Sequence, residues 1–456
     1  MMCVPIAAKA QRIEKGARMA FPGGKAFIFR VQLCDKRGSA YTLDHPERFL
    51  SAKALNRRAR QHLRVDSTDL PLSATYLGKL RSCGFQVVGG SKWNNTVLVM
   101  SGDSAVAARL ASLEFVRGVK KVYTTPDSVN RPQPLELQPD TTRNSNPKGG
   151  AYGQSCWQIS QLQGQALHER GFRGKGMTIA ILDGGFMNAD KIPALNRAHV
   201  IATRDCAWPY NQNIYSLIDH GTMVLSCMAA QDSGRILGDA PEASYVLIRT
   251  EIAQGESLLE EDNWAMGAEY ADSIGADLIN SSLGYNQYDD KTTSYRYRDL
   301  NGRTALISRT ASMLAGKGIV LVNSAGNSGM GEWKKIGVPA DAPDVLTVGA
   351  LGTDGKNAPF SSIGPSADGR VKPDVMAPGF PVKVISGNGV VKEANGTSFA
   401  SPITCGLVAC LWQALPGKTA LEIIDLVRRS ADNFSTPDNI FGYGKPDFAK
   451  ALKLAE

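Results

Sequence analysis

An aspartate, a histidine, an asparagine and a serine stand at the punctuated ends of apolar runs in this chain. They are Asp183 in ILDGGF, His220 in DHGTMVLSCMAA, Asn327 in VNSAGNSG and Ser398 in NGTSFASP. Together these residue types can transfer an acyl group. A hydroxyl attacks, an imidazole takes its proton, a carboxylate orients the imidazole, and an amide donates to the developing oxyanion. Each stretch also has a plain structural reading: an Asp-Gly pair opens a tight turn, a turn asparagine tolerates a left-handed backbone, and a serine before a helix caps it. Of the five histidines (His45, His62, His168, His199, His220), only His220 stands at the first turn of an apolar helical run. A scaffold holds a general base still in such a place.

Ser398 has the most distinctive setting. Gly, Thr, Ala and Ser flank it and leave room for a substrate, and Ala400, Gly406 and Ala409 allow the following helix to be buried. Pro402 reads as lying in the first helical turn, where its missing N–H is not needed. The helix N-terminus supplies backbone donors for an anion, and the Asn327 amide is predicted to face the same anion.

For these residues to meet, several strand ends must converge. MTIAILD, YVLIRTE, ADLINSSLG, GIVLVNSAG and VLTVGAL are short apolar runs of the kind buried on both faces, and helical stretches such as 257–274 and 304–316 lie between several of them. The alternation predicts a parallel α/β sheet covered by helices, with ligands at the carboxyl ends of its strands. Upstream, residues 26–123 read as a smaller α+β unit with helices over 46–62, 73–82 and, capped, 103–113. Its order β-α-α-β-β-α-β is close to a ferredoxin-like pattern with one extra helix. Residues 124–150, with five prolines, read as an extended, exposed linker of the kind proteases cut.

Composition limits the alternatives. The chain has 456 residues, 43% of them hydrophobic, and no apolar run of the roughly 18 residues a spanning helix needs. Residues 1–130 carry 21 Lys/Arg against 9 Asp/Glu, whereas 131–456 carry 30 against 34. Opposite signs predict that the first part docks on the second. The positive residues are dispersed and no nucleic-acid-binding motif accompanies them, so nucleic acid is not expected. Eight cysteines without a C-x-x-C pair do not form a disulfide framework. Ala8-Lys9-Ala10 resembles the end of an export signal that lacks its basic and apolar regions. HERGF at 168 lacks the second histidine of a metalloprotease helix, and Gly174-Lys175-Gly176 is no P-loop.

The sequence resembles the subtilases, the subtilisin-like serine peptidases. The motifs are ILDGGF, DHGT, NSSLG at 280–284, SAGN ending at Asn327, KPDVMAPG at 372–379 and NGTSFASP, running from about Gly174 to Gly444. The chain order Asp, His, Ser is that of subtilisin, not of chymotrypsin or the α/β-hydrolases.

The resemblance implies a three-layer α/β fold around a parallel sheet, preceded by the small ferredoxin-like domain. It implies a serine endopeptidase acting through an acyl-enzyme on proteins or peptides. Ser398 is then the nucleophile, His220 the base and then acid, Asp183 its orienting carboxylate and Asn327 the oxyanion donor. Ser282, Leu283 and Gly284 pair with substrate backbone, and with Ser324, Ala325 and Gly326 they border a side-chain pocket. Residues 1–123 become a propeptide that assists folding and inhibits, 124–150 the linker cut at maturation, and 151–456 the peptidase. A secreted, periplasmic or cell-surface location is expected from the resemblance alone.

No cofactor is needed for this chemistry. Structural calcium is frequent in the family, but loop 286–302 has no EF-hand spacing and reads as solvated. The chain departs from the family at Gly184, where Ser or Thr is usual and a hydroxyl would hold Asp183. It departs again at Asn323 and Ser324, where alanines are common. The rival reading is a non-hydrolytic protein on the same fold that binds peptides or a partner.

Overall fold

In the computed structural model, the structure describes residues 18–21, 24–130, 135–138, 149–207, 213–253 and 255–456. The export-like Ala8-Lys9-Ala10 stretch and linker residues 131–134 and 139–148 lie outside the described residues.

The N-terminal unit runs β1 (Arg18–Ala20), β2 (Phe27–Leu33), α1 (Ala52–Arg60), α2 (Ala74–Ser82), β3 (Gln86–Ser91), β4 (Thr96–Ser101), α3 (Val106–Ala111), β5 (Val116–Thr124) and β6 (Ser128–Asn130). Its sheet has the order β3-β4-β2-β5 with antiparallel neighbours. Strand alternation splits its apolar residues between two cores. Phe29, Val31 and Leu33 of β2 pack with Leu80 of α2 and Leu110 of α3. Ile28 and Leu98 point the other way and join the core of the following unit.

Three local expectations are corrected here. The stretch 46–62 is broken: a single turn, Pro46–Arg48, precedes α1, which starts after Ser51 because the Ser51 hydroxyl accepts the Ala54 N–H. The helix at 103–113 has no side-chain cap; Asp103 instead accepts the Ala105 N–H at 2.8 Å in a turn ahead of it. The linker is extended but not exposed from its start, since β6 pairs antiparallel with β1 and buries Val129.

The second unit follows as α4 (Cys156–Ser160), α5 (Gln165–Glu169), β7 (Thr178–Asp183), β8 (His199–Asp205), α6 (His220–Ala229), β9 (Gln231–Asp232), β10 (Ile236–Leu237) and β11 (Ser244–Arg249). Next come α7 (Leu259–Ile274), β12 (Leu278–Ser281), α8 (Leu306–Leu314), β13 (Val320–Ser324), β14 (Leu346–Gly352) and β15 (Val375–Phe380). The chain ends with the hairpin β16 (Val382–Ile385) and β17 (Val391–Ala394), then α9 (Thr397–Ala414), α10 (Ala420–Ser430) and α11 (Phe448–Lys453). Seven strands form one parallel sheet, ordered β15-β14-β13-β12-β7-β11-β8. Ile179, Ile181, Val320 and Val322 face Val224 of α6 and Leu407 of α9. Ala180, Leu182, Ile279 and Leu321 face Trp264 of α7 and Ile307 of α8. Burial on both faces explains why these strands read as unbroken apolar runs.

The edge strands β8 and β15 escaped that pattern. β8 (HVIATRD) is mostly exposed or half-buried, and β15 (VMAPGF) contains Pro378 and Gly379, which an edge position tolerates. The order reverses at β7, since β8 and β11 lie on one side of it and β12 onward on the other. The carboxyl end of β7, at Asp183, is therefore a topological switch point.

The N-terminal unit covers the acidic face of α7. Arg30 of β2 forms a two-pronged pair with Asp262, Nε–Oδ1 2.7 Å and Nη2–Oδ2 2.6 Å. Arg57 and Arg58 of α1 both donate to Asp272, all three side chains being buried. Glu269 accepts the Lys92 and Trp93 N–H groups at 2.9 and 3.0 Å. The uneven charge of the two halves thus appears as paired groups in this contact.

Candidate active site

Asp183 ends β7 fully buried, and among the described residues its carboxylate has two partners. The Gly184 N–H donates to Oδ1 at 2.7 Å, and His220 Nδ1 lies 2.9 Å from Oδ1 and 3.0 Å from Oδ2. This answers the question raised by the glycine: a main-chain donor holds the carboxylate where relatives are expected to use a hydroxyl. The slot around Gly184 is close, since a Cβ there would meet Ile218 Cδ1 at 3.3 Å and Glu251 Cβ at 3.5 Å.

His220 heads α6 after Asp219, whose carboxylate accepts the Gly387 N–H at 3.0 Å. Thr222 Oγ1 donates to the Met187 carbonyl at 2.8 Å and ties the same turn to the loop after β7. Burial alone lowers the imidazole pKa. The charge and hydrogen bond of Asp183, with Asp219 adding, outweigh it and hold His220 above its ordinary 6.5.

Ser398 is the second residue of α9, and Gly396, not a serine, holds the capping position. Pro402 is the sixth residue, so the first-turn expectation is corrected. In the second turn its missing N–H leaves the Ser398 carbonyl without its helical donor. Ser282 Oγ fills that vacancy at 2.7 Å, and Asn280 Nδ2 donates to the same Ser282 hydroxyl at 3.2 Å. The end of β12 is thereby fastened to the nucleophile's backbone. The Ser398 hydroxyl rests 3.4 Å from the Ser282 carbonyl rather than on the His220 ring. A serine hydroxyl turns about one bond between staggered wells, so this resting position does not set the attack geometry.

Asn327 is oriented by its neighbours. Its Oδ1 accepts from the Thr397 N–H at 2.9 Å and from Thr397 Oγ1 at 2.8 Å. A backbone N–H can only donate, so the oxygen must face Thr397 and Nδ2 is left free to donate. Gly326, at φ +103°, donates its N–H to Thr397 Oγ1 at 3.2 Å and makes the turn that presents the amide.

A cleft of about 310 Å³ brings together Asp183, His220, Asn327 and Ser398 with Ser282, Leu283, Gly284, Ser324 and Gly326. Ala325 does not line it. The side chain is buried in the apolar layer with Ile279 and Leu321, because alternate residues at a strand end point to opposite sides. Asn323, also buried, donates to the Leu283 and Ser324 carbonyls and supports the cleft wall from behind.

Glu251, Glu256 and Tyr285 also line the cleft and were missed in the sequence. YVLIRTE was read only as a strand, although its end lies beside Asp183, with Arg249 in register with it. Glu251, Glu256 and Glu260 have oxygens within 4.8 Å of one another, a spacing that fits a cation. Burial first, and then repulsion among the carboxylates, pushes Glu251 and Glu260 well above the ordinary carboxylate range. The Tyr285 hydroxyl donates to Glu251, and the Ile252 and Ser257 N–H groups donate to Glu260, so protein donors already meet part of this cluster. In loop 286–302, Asp290 and Asp299 close their own local turns.

A buried carboxylate paired with a half-buried imidazole, a serine at the head of a buried helix and an amide beside it make an acyl-transfer site on a parallel α/β sheet. The chain belongs to the subtilase family: that family's peptidase S8 profile matches residues 174–444. A peptidase S8 propeptide domain of Bacteroidota matches residues 28–138. Subtilisin NAT of Bacillus subtilis subsp. natto is 31% identical over 299 residues, 64% of this chain and 70% of that protein. Subtilisin of Bacillus pumilus is 30% identical over 291 residues, 63% of this chain and 94% of that one. M-protease of Shouchella clausii is 26% identical over 354 residues, 77% and 83% of the two chains. The protein is a subtilisin-like serine endopeptidase made as a zymogen. Subtilases need no cofactor for catalysis. Among the described residues no helix is long and apolar enough to cross a membrane.

Proposed function

We propose that Ser398 attacks the scissile carbonyl, that His220 takes its proton and passes it to the leaving amine, and that Asp183 holds His220 in the required tautomer. The observation that carries this is the hydrogen-bonded Asp183–His220 pair in one cleft with Ser398. Asn327 Nδ2 and the Ser398 N–H donate to the oxyanion, and Ser282–Gly284 pairs with substrate backbone on the acyl side. A serine-directed fluorophosphonate should label the processed protein and not its Ser398→Ala variant. Absence of label after removal of the N-terminal unit would favour the non-hydrolytic rival.

Asn327→Asp is expected to lower kcat by about 10²–10³ with little change in KM, the scale known from the oxyanion asparagine of subtilisin itself. The aspartate keeps the oxygen that Thr397 needs, so the loss reports the missing donor rather than a broken turn. Steady-state kinetics on a peptide p-nitroanilide checks it; a change confined to KM would remove Asn327 from the oxyanion site.

The domain scheme is likewise proposed: an inhibitory unit over 1–123, a linker cut within 124–150, and a peptidase over 151–456. The contact through α7 supports it. Asp272→Ala leaves Arg57 and Arg58 buried without their shared anion, at a cost of about 3–5 kcal/mol. The cleaved N-terminal unit is then expected to inhibit the peptidase roughly 10²–10⁴-fold more weakly. An unchanged inhibition constant would mean that this contact is not what holds the inhibitor. By family resemblance the enzyme is proposed to act outside the cytoplasm, and fractionation of the producing cells tests that location.

A further inference from the structure

We propose that Glu251, with Glu256, makes the enzyme select a cationic side chain, lysine or arginine, as the second residue before the scissile bond. The proposal rests on the reading of Ser398 and of the Ser282–Gly284 segment given above, and adds a specificity that the triad does not supply.

The position follows from strand geometry. Side chains of an extended substrate alternate in direction. The first residue before the cut is directed to the pocket bordered by Ser282–Gly284, Ser324 and Gly326, so the second turns to the wall that carries Asp183, Gly184, Ile218 and His220. Glu251 belongs to that wall. The Thr250 N–H donates to the Asp183 carbonyl at 2.9 Å, which sets the end of β11 beside the end of β7. Gly184 leaves room beside the stem of Glu251: a Cβ there would stand 3.5 Å from the Glu251 Cβ and 3.7 Å from its Cγ. Glu251 also accepts the hydroxyl of Tyr285, the residue that follows the Ser282–Gly284 segment. The carboxylate therefore lies between the segment that pairs with substrate and the wall that carries the imidazole.

The chemistry of this wall favours a positive charge. Glu251 is 2% exposed and Glu256 8%, and both line the cleft. Buried carboxylates this close repel one another. Arg249 offsets that repulsion at Glu251 less than Glu256 adds to it, its guanidinium being paired with Asp205 at 3.1 Å. A substrate ammonium or guanidinium supplies the balancing charge, and its methylene stem suits the apolar Ile218 beside Gly184. Burial holds Glu251 well above the ordinary carboxylate range; an arriving cation stabilises the ionised form, so the carboxyl proton passes to solvent as the side chain binds. The chain already places a cation along the same acidic loop, where Lys121 of the N-terminal unit shares a depression with Glu256, Asp289 and Asp290. Apart from Asp183 and His220, the cleft's remaining charged residues are Lys392 and Glu393, neighbours on β17 and opposite in sign.

Two acetylated tetrapeptide p-nitroanilides given to the processed enzyme test this. They differ only at the second residue before the cut, lysine in one and norleucine in the other, which keeps the stem and lacks the ammonium. The lysine peptide is expected to show a kcat/KM at least about tenfold higher, the scale of a hydrogen bond to a charged group. The ratio should survive about 0.5 M salt, since salt screens buried pairs far less than exposed ones. In Glu251→Gln, which keeps an oxygen for the Tyr285 hydroxyl, the ratio is expected to fall toward one. If that variant does not fold, Glu256→Gln is read in its place and is expected to lower the ratio too. Equal values in the unaltered enzyme overturn the subsite, as does a preference that salt abolishes or that the variant leaves intact. A norleucine peptide cut by the parent and not by Ser398→Ala upholds the catalytic reading whatever the ratio. If neither peptide is cut, that reading fails and the subsite falls with it.

Discussion

Ser398→Ala is expected to accumulate as the full-length chain and to lose about 10⁶ in kcat, the loss known for the nucleophile of subtilisin itself. The variant should fold normally. The hydroxyl it removes makes only the 3.4 Å contact to the Ser282 carbonyl. The stronger link, from Ser282 Oγ to the Ser398 carbonyl, uses the main chain and survives. The Asp183–His220 pair and the Asn327 amide also remain, so a residual rate of about 10³–10⁴ over water is expected from them. Mass spectrometry of the purified chain reads the first expectation, and steady-state kinetics on a peptide p-nitroanilide reads the second. A chain cut within 124–150 despite the substitution would show that another protease performs maturation. Activity above about 1% of the parent would place the nucleophile elsewhere. A melting temperature within a few degrees of the parent's guards against loss by misfolding.

What was legible in the sequence follows from where the information lies. β7, β12 and β13 are buried on both faces, and their apolar runs end in the polar residues that meet in the cleft, so strands and strand ends could be read together. The sign of the charge split was legible too, because docking of opposite charges needs only composition. Which cation meets which anion was not: Arg57 and Asp272 are 215 residues apart. The link from Ser282 to the Ser398 carbonyl was hidden in the same way, across 116 residues, and its cause was misread because Pro402 was placed a turn too early. Ala325 was misassigned for a local reason: a motif covers consecutive residues, whereas the Ala325 side chain follows Leu321 into the apolar layer behind the cleft. Gly184 looked like a weakness because side-chain partners were weighed and the N–H of the glycine itself was not.

That N–H shapes the second large effect. Asp183→Asn is expected to lower kcat by about 10⁴, the loss found when the triad carboxylate of another serine protease is amidated. The geometry states why. The Gly184 N–H lies 2.7 Å from Oδ1 and can only donate, so the amide oxygen of the variant must occupy the Oδ1 place. The amide nitrogen then takes the Oδ2 place, 3.0 Å from His220 Nδ1. The amide N–H at the Oδ2 place favours the tautomer whose Nδ1 accepts, against the acceptor oxygen that stays 2.9 Å away at Oδ1. Wherever that tautomer forms, the ring proton sits on Nε2 and fills the nitrogen needed to take the Ser398 proton. The pH profile should change with it. In the parent, the Asp183 charge and hydrogen bond hold the His220 pKa above 6.5 against burial, so the acid limb of kcat/KM is expected above that value. In the variant those contributions vanish while burial stays, and the limb should move to lower pH. Stability follows the same sign. A histidine whose pKa is raised on folding stabilises fully below its unfolded value of about 6.5, and that stabilisation is lost as pH rises through the folded pKa. Measured in Ser398→Ala chains to prevent self-digestion, the melting temperature cost of Asp183→Asn should therefore be larger at pH 5 than at pH 9. A cost that is equal or reversed, or an acid limb that stays in place, would mean that Asp183 does not set the charge of His220.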